Sequence, residues 1–217
     1  MGCLCTPCTH RTGLPTPHGA DGRHFVNCPR GLRLHCAVSD KVRDVLVDLL
    51  VAAGLNVIAE RPGSHRQMTT FRAAEGLALL KSPDLALVGF DGPGSFTLID
   101  VKVVDPAAPS YCSRLTGREA LGRHRELERA GPLDYFGPGR SPPPGSRMRV
   151  VTFVVSSFGS LGRQADSFLK QVSHGRGLFI PPSLVPDSSW ATPNFSSFLR
   201  SAVTMEARRR IAALLRE

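Results

Sequence analysis

The chain has 217 residues, 41% of them hydrophobic and 21% charged, and carries a formal net charge of +9. Those proportions exclude a disordered chain and leave room for one ordinary core plus a small appendage. The excess charge is arginine, which favours an anionic partner such as nucleic acid or an anionic membrane surface. No apolar run approaches the roughly 18 residues of a spanning helix; the longest, around Val45–Ile58, is broken by Asp48 and Asn56. The N-terminus lacks a charged segment followed by an apolar stretch of roughly 7–15 residues, so no secretory signal is expected. The reading is nuclear or cytoplasmic, not secreted, without stable membrane association. The six cysteines then fall in a reducing compartment, where thiols bind metals more often than they pair.

Residues 1–36 are rich in Cys, His, Gly, Pro and Thr and show no periodicity. The best four-ligand set is Cys3 and Cys5, or Cys5 with Cys8, then a loop and the pair His24 and Cys28. One imidazole and three thiolates suit tetrahedral Zn²⁺, a structural staple for a segment too polar to bury a core. The plainer alternative is a tail with reduced thiols. Met1-Gly2-Cys3-Leu4-Cys5-Thr6 also satisfies an N-myristoylation pattern, with Cys3 available for a second acyl chain. That pattern leaves His24 and Cys28 unexplained.

Val38–Ala53 reads as an amphipathic helix, with Val38, Val42, Val45, Leu46, Leu49 and Leu50 at intervals of three and four. Ser39 and Asp40 suit its start and Gly54 its C′ position. Asp40, Lys41, Arg43, Asp44 and Asp48 fall on the other, solvated face. Leu55–Ala59 is a short strand ending at Glu60. Residues 61–82 form a polar, basic connection carrying Arg61, His65, Arg66, Arg72 and Lys81.

The stretch Pro83 to Lys102 holds two apolar runs, Leu85–Phe90 and Phe96–Val104, separated by Asp91-Gly92-Pro93-Gly94. It is a predicted β-hairpin. Strand side chains alternate, so Asp100 and Lys102 share one face while Ile99, Val101 and Val103 share the other. Charges inside so apolar a strand are costly unless paired or metal-bound. The hairpin brings Asp84 towards the same face, and two carboxylates beside a lysine form a hard-oxygen site suited to Mg²⁺ or Mn²⁺. The plain alternative is a surface hairpin in which Asp100 and Lys102 form an ordinary ion pair.

After Val104 the chain is loop-like to Arg118, followed by a polar, Arg-rich helix over Glu119–Ala130. Residues 137–145 are a Gly/Pro-rich loop. Met148–Ser156 is a fourth strand, apolar on both faces and therefore expected at the centre of the sheet. Phe158–Val172 and Phe195–Leu215 read as helices, the latter containing Arg208-Arg209-Arg210. Residues 175–194 are a Pro-rich connection, and Trp190 is read as a packing residue.

Pro83-Asp84, fifteen residues, then Asp100-Val101-Lys102 resembles the PD-(D/E)xK signature of restriction-like nucleases. More widely, residues 3–215 resemble the C-terminal region of site-specific non-LTR retrotransposon polyproteins, where a Cys/His zinc segment precedes a restriction-like endonuclease. Cys3, Cys5, His24 and Cys28 take the zinc positions, and Asp40–Asp44, Ala53-Gly54-Leu55 and Glu60 match the first helix and its exit. Ser157–Gly162 is similar to the segment after the fourth strand.

The resemblance implies an α/β fold, a restriction-endonuclease-like core of central mixed sheet flanked by helices over residues 37–217, behind a zinc segment at 1–36. It implies a divalent-metal-dependent DNA endonuclease that nicks a target site in the nucleus, as a fragment or domesticated remnant of a longer polyprotein. Asp84, Asp100 and the Val101 carbonyl would hold Mg²⁺, with Glu60 at a second or outer position and Lys102 on the attacking water or phosphoryl oxygens. On the helix after the Asp-x-Lys strand, where the family often carries further lysines and a tyrosine, this chain has only His124, Arg125, Arg129 and Tyr135. Arg118, Arg123, Arg125 and Arg129 are the candidate phosphate contacts. One site per chain would need a dimer, or two visits, to cut both strands. The alternatives are a catalytically inactive nucleic-acid-binding module of the same fold and, less well supported, an N-myristoylated peripheral membrane protein.

Overall fold

The computed structural model describes residues 4–9, 15–17, 32–59, 68, 79, 81–104, 120–136, 147–175, 179–188, 192 and 194–214. Near the N-terminus, β1 (Leu4–Thr9) pairs antiparallel with β2 (Pro15–Pro17) in an irregular two-stranded ribbon. The main body is α/β. A four-stranded mixed sheet of β3 (Asn56–Ala59), β4 (Leu85–Val88), β5 (Phe96–Val104) and β6 (Met148–Ser156) runs in that spatial order. The pairs β3–β4 and β4–β5 are antiparallel, and β5–β6 is parallel. The long connection that a parallel pair requires contains α2 (Ala120–Phe136).

Helices flank both faces. On one, α1 (Leu32–Ala52), α3 (Arg163–Gly175) and α4 (Phe195–Leu214) bury the main core against Leu85, Leu87, Ile99, Val101, Val151, Phe153 and Val155. On the other, α2 contributes Tyr135 and Phe136 to a smaller core with Ala86 and Leu98, joined by Met68 and Leu79. The period-two alternation of β5 is therefore observed: Ile99 and Val101 face the large core, and Leu98, Asp100 and Lys102 face the side of α2.

The first helix starts at Leu32 rather than Val38, inside the stretch that composition groups with the cysteines. It ends as expected on Gly54 at φ 72°, where Leu55 N–H donates to the Leu50 carbonyl (3.0 Å) and Gly54 N–H to that of Val51 (2.7 Å). This is a Schellman closure, with Leu55 packed on the core behind it. The hairpin loop is longer than the expected four residues: β4 stops at Val88, and Gly89 N–H donates to the Ser95 carbonyl (2.8 Å).

Three expectations are corrected. The strand β6 lies at the edge of the described sheet, not at its centre. Its two faces are buried by helices, and its outer edge is closed by the chain that follows. Gln164 Oε1 accepts from Thr152 N–H (2.9 Å), Gly162 N–H donates to the Val154 carbonyl (2.8 Å), and Ser156 N–H donates to the Ser160 carbonyl (2.8 Å). A strand whose edge is covered from Thr152 to Ser156 in this way shows the composition of a central one. The helix after β6 starts at Arg163, because residues 157–162 are spent on that turn. And α2 runs past Gly131-Pro132 to Phe136, since the last turn buries Tyr135 and Phe136. Within the expected 175–194 connection, Pro182–Asp187 forms a 3₁₀ helix. Trp190 lies outside the described residues.

Candidate active site

Asp84 precedes β4, and its backbone N–H donates to the Ile99 carbonyl (3.1 Å), extending the ladder by one bond. The β4 backbone reaches no further along β5, and the Asp84 side chain takes over: its Oδ2 accepts the Val101 N–H at 2.6 Å. A residue in a strand directs its N–H and C=O to the same side, so the Val101 carbonyl faces this same edge. The alternation of β5 then adds Asp100 one residue before Val101 and Lys102 one residue after it, both on the α2 side. The two carboxylates and the lysine expected from the hairpin are thus brought together.

Asp100 is buried, with 2% of its surface exposed. Lys81 Nζ donates to its Oδ1 at 2.5 Å, and Lys102 Nζ stands 3.0 Å from Oδ2 as an ion pair. No donor among the described residues is aligned for a hydrogen bond on Oδ2, which leaves buried acceptor capacity on that oxygen. Lys81 lies over the Tyr135 ring, 5.7 Å from its centroid, and α2 thereby walls the site. That wall comes very close to the sheet: a Cβ on Gly131 would sit 1.8 Å from Thr152 Oγ1, so only glycine allows the approach.

Asp84 holds its proton unusually well. Burial first, and then the nearby Asp100 charge, raise its pKa from 3.8 to a net of about 6 against the opposing pull of the Val101 N–H, Lys81 and Arg43. A half-buried carboxylate whose cationic neighbours do not fully compensate it is a group with unmet demand for positive charge. Arg43 is itself buried, at 6% exposed, and is held from its own helix by Asp40 (2.9 Å) and Asp44 (3.1 Å).

The donor chemistry fits a single hard divalent cation: Asp84, the under-used Oδ2 of Asp100 and the Val101 carbonyl are oxygens on one strand edge, which waters could complete. Two residues that the sequence reading left aside belong here. Lys81 is assigned by composition to a basic connection, and no local signal marks it; it reaches Asp100 from 19 positions away. Arg43 is assigned to a solvated helix face, although its flanking Asp40 and Asp44 are a signal that its charge is held in place.

The remaining expected site residues are not brought to this edge by anything described. Glu60, Cys3, His24, Cys28 and Arg118 lie outside the described residues. Cys5 and Cys8 lie on β1 and Arg123 lies on α2. Among the described residues no group of three or more His, Cys, Asp or Glu side chains could share a metal ion. Arg125 and Arg129 are exposed one turn apart on α2. Glu128 between them is buried and accepts Gln164 N–H (2.7 Å), which ties α2 to the start of α3. No helix among the described residues is long and apolar enough to cross a membrane.

A groove of ≈ 750 Å³ between the end of α3 and the start of α4 is lined in part by Lys170, His174, Asn194 and Arg200, and includes none of the carboxylate-site residues. It opens towards the start of β6, because α3 runs back along that strand until Gln171 meets Arg149. Comparison with known proteins adds no relative: no family model, curated protein or solved structure matches this chain.

Proposed function

We propose that the chain is a divalent-metal-dependent DNA endonuclease with a restriction-like core, of the kind found in retrotransposon target-site nicking domains. The observation that carries this reading is the pair of adjacent carboxylates, half-buried Asp84 at the start of β4 and buried Asp100 within β5, one with a raised pKa and the other with an under-used oxygen. An ordinary surface ion pair explains neither feature. It would be solvated and worth little, whereas Asp100 is buried with two lysines and a second carboxylate beside it.

Asp84, Asp100 and the Val101 carbonyl would hold the cation, which when bound supplies Lewis acidity and a water of lowered pKa. Lys102 is set on the same face to orient that water or to stabilise charge on the phosphoryl oxygens. Lys81 fixes the Asp100 carboxylate through Oδ1, and the cation would share Oδ2 with the Lys102 ammonium. Arg125 and Arg129, with Arg208–Arg210, would meet phosphates, and binding would weaken steeply with salt. Zinc held by Cys3, Cys5 (or Cys8), His24 and Cys28 remains part of the proposal as a structural staple.

One observation favours a second reading, a nucleic-acid-binding module of the same fold without turnover. Both oxygens of Asp100 already face an ammonium group, so this carboxylate is balanced without metal. Incubation of the full chain with supercoiled plasmid, with Mg²⁺ and with EDTA, beside Asp100→Ala, separates the two. Metal-dependent nicking that the variant lacks supports the nuclease. DNA binding with no nicking under Mg²⁺ or Mn²⁺ rejects it in favour of the binding module.

A further inference from the structure

The turn after β6 holds an aromatic ring out of the fold. Phe158 is 57% exposed, as is Phe179 at 88% on the connection before the 3₁₀ helix, whereas Phe153, Phe168, Phe195 and Phe198 are buried. Four backbone N–H bonds lock the turn: Ser157 to the Val104 carbonyl (2.8 Å), Ser156 to the Ser160 carbonyl (2.8 Å), Gly159 to the Ser156 carbonyl (2.9 Å) and Ser160 to Ser156 Oγ (2.8 Å). From α4, Arg208 donates Nε (2.7 Å) and Nη2 to the Phe158 carbonyl. Gly159 has φ 82°, and a Cβ there would lie 2.7 Å from Arg208 Nε, so the turn and its arginine clamp require glycine together. Little is left to order when such a ring meets a partner.

Its location indicates which partner. Val104 pairs with Ser156, so the turn lies at the C-terminal end of β5 and β6, four residues beyond the mid-strand level of Asp100 and two beyond that of Lys102. From the level of Asp100 and Thr152 to Ser156 is about 13 Å along the strand, a span of about four nucleotide steps. Met205, Arg208 and Arg209 share one face of α4 by helical spacing, with Met205 60% exposed and the Arg209 side chain 78% exposed. One ring and one thioether fall far short of the roughly 800 Å² per partner of a stable protein interface. An aromatic flanked by guanidinium groups does match a nucleobase between phosphates.

We infer that Phe158 is a stacking platform for an unpaired base of the nucleic-acid strand that crosses this end of the sheet, with Arg208 and Arg209 at the flanking phosphates. The inference rests on the nucleic-acid reading above but not on catalysis, so its test is run in EDTA with the full chain. Affinities are measured for a fully paired duplex and for the same duplex with a three-nucleotide bubble, using wild type, Phe158→Ala and Phe158→Trp. The wild type and Phe158→Trp should prefer the bubble by about tenfold, and Phe158→Ala should lose that preference with its melting temperature unchanged.

An equal preference in Phe158→Ala overturns the platform, and metal-dependent nicking by the same preparation would leave the nuclease reading standing. Loss of the preference in a protein that never nicks supports the platform and rejects turnover instead. Self-association in sedimentation, or retention on anionic vesicles, that is abolished by Phe158→Ala while bubble binding is kept would overturn the inference in favour of a protein or lipid contact.

Discussion

Replacing Asp84 by Asn should make the metal-free protein more stable at neutral pH. In the unfolded chain this carboxyl loses its proton near 3.8, whereas in the fold it keeps it until about 6. Between those values the native state holds the extra proton, so stability falls as pH rises from about 4 to about 6 and stays lower above that. At about 1.4 kcal/mol per pH unit, the interval from 3.8 to about 6 amounts to a penalty of about 3 kcal/mol. Asparagine cannot ionise, and its Oδ1 can still accept the Val101 N–H. Urea unfolding in EDTA should therefore find Asp84→Asn and wild type similar at pH 4 and the variant more stable at pH 7.5 by up to about 3 kcal/mol, or about 6–12 °C in melting temperature. A variant that is equal to or weaker than wild type at pH 7.5 would refute the argument that burial leaves this carboxylate under-compensated.

In plasmid assays, Lys81→Gln should slow nicking by about 10²-fold with DNA affinity little altered, and an unchanged rate would reduce Lys81 to charge balance. Gly131→Ala should destabilise the fold by about 1–3 kcal/mol, since its Cβ meets Thr152 Oγ1 at 1.8 Å; an unchanged melting temperature would contradict that close approach. Substituting alanine for both Arg125 and Arg129 should lower the slope of log affinity against log salt by about 2, and an unaltered slope would remove them from the phosphate contacts.

How far the site is legible before folding depends on the range of the interaction. The faces of Asp100, Lys102 and Val101 follow from strand alternation alone, and the meeting of Asp84 with that strand follows from a hairpin closing over Asp91-Gly92-Pro93-Gly94. Those relations are local, and the structure keeps them. Lys81 and Arg43 are not legible because each reaches the site through tertiary packing: one crosses from a connection with no periodicity, the other lies on a helix face whose charges read as solvated. The position of β6 misleads for a related reason. Apolar residues on both faces record burial and do not say whether a helix, a turn or another strand provides it. Likewise Gly131-Pro132 carries the local signature of a helix end, and the burial of Tyr135 and Phe136 outweighs it.

The account stands on the claim that the edge formed by Asp84, Asp100 and the Val101 carbonyl takes a divalent cation. Calorimetric titration of the full chain with Mg²⁺ measures this without reference to DNA or turnover. One Mg²⁺ per chain should bind, more tightly as pH rises through about 6 and the Asp84 carboxyl ionises, and Asp84→Asn or Asp100→Asn should abolish binding. Wild-type protein that takes up no Mg²⁺ at pH 8, or that binds it equally well with both carboxylates replaced, would contradict the account.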